Sequence, residues 1–193
     1  MYYIPIIELP VLVMLVLARS LVLRRQGIKA LVFGVTDKSD FLIIPVIAFF
    51  FYSLLAGIFN FPYPKFLTAS FWKTESLQIL MTWIAIFICT ASLVWFAVTL
   101  KIFGSSFRVG IDEKTNGKLV TNGTFAFSRN PVYLAFITFF TGIFLAYSGF
   151  TIAVFLVLLF MAIHRQILRE EIFLKNHYGK EYEEYCRKTR RYL

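Results

Sequence analysis

Apolar residues run along this chain in long stretches separated by short polar ones, and the stretches are too long for the strands or helices of an aqueous core. One extends from about Ile4 to Leu23, with Pro5 and Pro10 near its start and Arg19 able to snorkel at its end. A second extends from about Phe41 to Phe61, and a third from Ser76 to about Leu100. Each offers roughly 20 residues or more, which at about 1.5 Å per residue spans a hydrocarbon layer of about 30 Å. The stretch from Pro131 to Met161 carries no charge, and it is too long for one span and short for two. Tyr147-Ser148-Gly149 lies in its middle, and Gly is a natural break. The pattern therefore predicts a tight helical hairpin, Pro131–Tyr147 and Phe150–His164, whose second helix continues into Arg165–His177. The fold class expected is an all-α polytopic membrane protein of five transmembrane helices.

Composition and charge sharpen that picture. Hydrophobic residues make up 59% of the 193 residues and charged ones only 16%, away from the balance of a soluble domain. The net charge of +9 would point toward nucleic acid in a soluble protein. Here the basic residues flank apolar runs and act as a topology signal and a match to anionic headgroups. With the N-terminus outside and five spans, only Lys65 and Lys73 of the 20 basic residues fall on the outer side. A single span across Pro131–His164 would move the whole basic tail, from Arg165 to Arg191, to the wrong side. The expectation is an N-terminus outside and a cytosolic C-terminus. Asn122-Gly123-Thr124 matches a glycosylation acceptor but falls on the cytosolic side, so it reads as a turn. Met1 to Glu8 holds no Lys or Arg, so the first run reads as a retained helix and not a cleaved leader. Glu8, close to one end of its span, is the ionisable residue inside the spans. Cys89, Cys186, His164 and His177 have no metal-ligand spacing and form no disulfide framework, so no metal is implied.

Polar sequence with definite punctuation occurs in the loop from Lys101 to Asn130 and in the tail from His164 onward. Both fall on one side of the membrane, one on each arm of the hairpin. The loop reads as a short extended piece and turn through Lys118–Phe125, and Ser128-Arg129-Asn130-Pro131 then starts the fourth span. Pro suits the first helical turn and Asn130 can cap it. Arg129 stands beside a helix N-terminus, where anions are favoured. In the tail, Glu170 and Glu171 are adjacent on the continuing helix and point about 100° apart, so at most one is expected to face a cleft. Gly179 then ends the helix before a short amphipathic one rich in tyrosine.

These pieces, in this order, resemble the isoprenylcysteine carboxyl methyltransferases and the related membrane phospholipid methyltransferases. The matching segments are Leu119-Val120-Thr121-Asn122-Gly123-Thr124-Phe125, Arg129-Asn130-Pro131-Val132-Tyr133, Glu170-Glu171-Ile172-Phe173-Leu174, Tyr178-Gly179 and Tyr182-Glu183-Glu184-Tyr185. The resemblance covers residues 101–193 and divides the chain into a three-helix anchor, 1–100, and a catalytic region, 101–193. It implies S-adenosyl-L-methionine as cofactor, a prenylated or otherwise lipid-like substrate, and methyl transfer to an isoprenylcysteine-type carboxylate. By position, Lys118, Leu119, Val120 and Phe125 would line the adenosine or methionine region. Asn130, Pro131 and Tyr133 would line the cleft, Glu170 would hold the cofactor, and Arg129 or Arg165 would pair with the substrate carboxylate. Asn130 stands where the family usually has His, and Gln166 where it has Arg. The alternatives are methylation of a phospholipid amine, with His164 as the candidate base at the membrane edge, NADPH-dependent reduction of the sterol-reductase type, and a non-enzymatic carrier or scaffold.

Overall fold

The computed structural model describes residues 4–25, 47–52, 55, 69–104 and 119–193. Among them every regular element is a helix: α1 (Ile4–Arg25), α2 (Glu75–Phe103), α3 (Thr124–Phe127), α4 (Pro131–Ala146), α5 (Phe150–Tyr178) and α6 (Lys180–Lys188). Residues 47–52 are also helical. The rest of the expected second span, Phe41–Phe61, lies largely outside the described residues.

Three helices, α1, α2 and α5, are long and apolar enough to cross a membrane. The apolar α4 is shorter, at 16 residues. At about 1.5 Å per residue it reaches roughly 24 Å, less than a full hydrocarbon layer. The hairpin break falls where Tyr147-Ser148-Gly149 stands, and α5 runs unbroken from Phe150 past His164 to Tyr178. The turn is tied down by the chain entering α2: the Phe71 amide donates to the Ser148 carbonyl at 2.7 Å, and Trp72 Nε1 donates to the Leu145 carbonyl at 2.8 Å.

The longest packing seam joins α2 and α4, which run antiparallel. The seam face of α2 carries Thr82, Ala85, Cys89, Ser92, Phe96 and Thr99, spaced alternately three and four apart. That of α4 carries Val132, Ala135, Phe139, Gly142 and Ala146 at the same spacing. Lipid tails are as apolar as leucine, so close approach and not apolar burial holds such helices together, and small side chains permit it. The tightest point is Gly142, where an added Cβ would stand 2.5 Å from Cys89 Sγ and 3.2 Å from the Ala85 carbonyl oxygen. The hydroxyls of Thr82, Ser92 and Thr99 donate to carbonyls one turn back, which leaves no buried hydroxyl unsatisfied along this face.

α1 packs parallel to α2. The Thr90 hydroxyl donates to Glu8 Oε1 at 2.7 Å, and the Arg19 guanidinium donates to the carbonyl of Gly104, the residue that ends α2. Glu8 lies near the start of α1 and faces Thr90, midway along α2, so α1 is shifted along its neighbour. Arg19 meets the negative end of the α2 dipole instead of headgroups alone. Phe50 joins the packing from residues 47–52: it stacks on Phe155 of α5 with centroids 4.0 Å apart and meets Phe140 of α4 edge-on at 5.5 Å.

Candidate functional site

At the end of the bundle where α4 begins, four stretches distant in sequence converge: the α3–α4 junction, the distal half of α5, α6, and the irregular residues Thr189–Tyr192. Two glycines shape the approach. Gly123 (φ 59°) opens α3, where any Cβ would also strike Ile102 Cδ1 at 2.5 Å. Gly179 (φ 54°) ends α5 and starts α6, folding the short helix back beside it. The Lys118–Phe125 stretch was expected to be a short extended piece and turn; it turns at Asn122-Gly123 and from Thr124 is helical, with Thr124 buried and its hydroxyl 3.1 Å from that of Thr99. Phe125 is buried against Phe103 (centroids 4.7 Å), and Leu119 and Val120 pack on the same cluster with Tyr182 and Tyr185. Lys118 lies outside the described residues.

Pro131 occupies the first turn of α4, and its carbonyl accepts from Trp95 Nε1 at 3.1 Å. Asn130 holds the N-cap position, yet its side chain makes no capping bond. Nδ2 points instead to the Arg191 carbonyl (3.2 Å) and to Glu171 Oε1 (3.4 Å), so the expected cap is replaced by a tertiary contact. Tyr133, one turn on, donates to Glu170 Oε1 at 2.5 Å, and Gln166 Nε2 donates to the same oxygen at 2.8 Å. Arg169 in turn donates to Gln166 Oε1. Glu171 receives a two-pronged bond from Arg191, with Nε at 3.1 Å from both oxygens and Nη2 at 2.8 Å from Oε2. Arg129 Nη2 lies 3.5 Å from Glu171 Oε1, and Nη1 donates to Cys186 Sγ.

At most one of the two acids was expected to face a cleft; both carboxylates bond to the start of α4. Both turn toward α4, because Asn130 and Tyr133 lie three residues apart on one face of it and meet neighbouring carboxylates of α5. Arg129 joins this cluster, whereas Arg165 is exposed on α5.

A strap from Thr189 to Tyr192 closes the arrangement. The Arg129 amide donates to the Arg190 carbonyl (2.9 Å), the Ser128 hydroxyl to the Arg191 carbonyl (3.3 Å), and the Thr189 hydroxyl to the Ala126 carbonyl (3.5 Å). Tyr192 reaches the membrane-side end of the cluster, where its hydroxyl lies 2.7 Å from His164 Nδ1. Sequence reasoning missed Glu171, Arg191 and Tyr192 as members of the site. The Glu-Glu pair and the Tyr-x-x-Tyr spacing were the available signals for α5 and α6; nothing in the sequence marked the strap.

Electrostatically, the Glu171 carboxylate holds the Arg191 guanidinium above its ordinary range. Burial, reinforced by Glu171 and Cys186, pushes the Tyr182 phenol well above its usual value, and burial does the same for Tyr185. Both stay neutral near neutral pH. Among the described residues no three His, Cys, Asp or Glu side chains converge as a metal site. The cluster brings together the carboxylates of Glu170 and Glu171 and the guanidinium groups of Arg129 and Arg191, beside the ends of apolar helices.

The family model for phospholipid methyltransferase matches residues 76–181, from the start of α2 to the first turn of α6. No curated protein and no solved structure matches the chain.

Proposed function

Because the chain belongs to the phospholipid methyltransferase family of membrane methyltransferases, we propose that it transfers a methyl group from S-adenosylmethionine to a lipid-borne acceptor, at the cluster built from the α3–α4 junction, α5 and α6. The observation that carries this reading is the engagement of both Glu170 and Glu171 with the first turn of α4, inside the matched region. The hydride-transfer alternative is not carried forward, since the matched family transfers methyl groups.

S-adenosylmethionine supplies a methyl group activated on a sulfonium. Glu170 and Glu171 would accept hydrogen bonds from its hydroxyls, Leu119, Val120 and Phe125 would pack its apolar parts, and Asn130, Pro131 and Tyr133 would line the cleft. The chain's contribution to rate is alignment, which supplies several kcal/mol, roughly 7–11 at best. For the acceptor we favour a carboxylate of the isoprenylcysteine type, held by Arg129 or Arg165. A carboxylate is ionised at neutral pH (pKa about 4), so no general base is needed. The finding that Gln166 is bound to Glu170 and Arg169 supports Arg129 over position 166 for this role.

A second reading, methylation of a phospholipid amine, is favoured by one contact. His164 Nδ1 is held by Tyr192 at the end of the cluster nearest the apolar part of α5, where an amine proton would need an acceptor. The basic tail and loop support a cytosolic site, with the N-terminus outside.

Purified protein in detergent, given S-adenosylmethionine labelled in the methyl group, separates the two. Label in a farnesylated cysteine derivative, released as methanol by mild base, supports the carboxylate reading. Base-stable label in phosphatidylethanolamine supports the amine reading. Label in neither, with folded protein, rejects both acceptors.

A further inference from the structure

Tyr182 lies on α6 just beyond the residues that the family model matches, and it is only 3% exposed. Its hydroxyl has no oxygen or nitrogen partner, only the weakly accepting sulfur of Cys186 beside it. Tyr185, one turn along the same helix and also buried, donates to the Phe125 carbonyl at 2.7 Å. A buried hydroxyl is normally satisfied, because leaving it bare forfeits the water it gave up. The Nε of Arg129 is likewise buried and bare, although its two Nη atoms reach Glu171 and Cys186. Glu171, Cys186 and Arg129 all act electrostatically on the Tyr182 phenol, so these groups share one small region. Arg129 and Arg191 both face the carboxylate of Glu171 there. Two unsatisfied donors beside two guanidinium groups match a carboxylate, which accepts several charge-assisted bonds.

We propose that the Tyr182 hydroxyl and the Arg129 Nε–H are a ligand-binding donor pair, which receives a carboxylate during methyl transfer. The inference rests on the methyltransferase reading and adds Tyr182 to the site. Two molecules in that reaction carry a carboxylate: the methyl donor, through its amino-acid end, and an isoprenylcysteine-type acceptor.

Tyr182→Phe removes the hydroxyl and keeps the ring. If Tyr182 were only packing, the variant would bind every ligand as the parent does. We expect the variant to melt no lower than the parent, since it loses a bare polar group, while calorimetry finds S-adenosylhomocysteine bound about tenfold or more weakly. 5′-Methylthioadenosine, which lacks the amino-acid end, should bind equally to both proteins. Tyr185→Phe, in contrast, should lower the melting temperature. If the acceptor is the source, S-adenosylhomocysteine binding stays intact. N-acetyl-S-farnesylcysteine then weakens about tenfold, and its methyl ester does not. Equal binding of both carboxylate ligands by Tyr182→Phe and the parent overturns the assignment alone. Failure of the parent protein to bind either ligand overturns the assignment together with the methyltransferase reading beneath it.

Discussion

Glu170 and Glu171 differ by one position and by everything around them. Glu170 accepts from Tyr133 and Gln166, while Glu171 accepts from the guanidinium of Arg191. Glu170, tied to the start of α4 through Tyr133, is the acid proposed to meet a ligand. Glu170→Ala is expected to abolish binding of S-adenosylhomocysteine. The released Tyr133 and Gln166 donors should cost only about 1–2 kcal/mol of stability. Unchanged affinity in a titration would remove Glu170 from the site. Position was legible here and partnership was not: the sequence places two acids on a helix, but which donors they meet depends on Asn130 and Tyr133 forty residues earlier in the chain. The tyrosines add a pH dependence. Below pH about 10 the phenols are protonated whether the protein is folded or not, and stability does not change on their account. Above that, Tyr182 and Tyr185 ionise in the unfolded chain while burial keeps them protonated in the folded one. Their contribution is therefore full below pH about 10 and is lost as pH rises through their higher folded values. Melting temperatures compared at pH about 8 and about 11 should fall, and Tyr185→Phe should reduce that fall.

Among the helices, the α2–α4 seam sets how accurately α4 presents its first turn. Gly142 rests on Cys89 and Ala85, so Gly142→Leu should force the helices apart and destabilise the protein by about 1–3 kcal/mol or more. Cys89→Ala should recover part of the loss, because it removes the atom nearest the new side chain. Thermal unfolding of the single and double variants checks this, and independent additivity would show that the two positions do not touch. The helices themselves were largely readable. The uncharged run, the break at Tyr147–Gly149 and the basic tail together required a hairpin, and α4 and α5 follow it. The helical turn at Thr124–Phe127 was not readable, since four residues carry no periodicity and its burial depends on Thr99. Glu8 stands near the start of α1 as its position in the sequence indicates, but its partner Thr90 was not readable, since position within a helix says nothing about how far that helix is shifted along its neighbour.

Across the whole molecule, the site is made by chain segments that meet at one end of the bundle, and one of them is a peptide with no regular structure. Thr189–Tyr192 touches the α3–α4 junction through Ala126, Ser128, Arg129 and Asn130, and α5 through His164 and Glu171. The same four residues are bordered or occupied by exposed basic side chains, Lys188 and Arg190. Trypsin cuts after such residues, but only where the backbone can open locally into an extended shape, which a docked strap resists. Limited digestion therefore becomes a clock for the strap. A ligand that settles beneath it should slow loss of the peptide beyond Lys188, and one that must displace it should hasten that loss. The direction of the change, read by mass spectrometry, would tell whether this segment shelters the bound molecule or stands in its way.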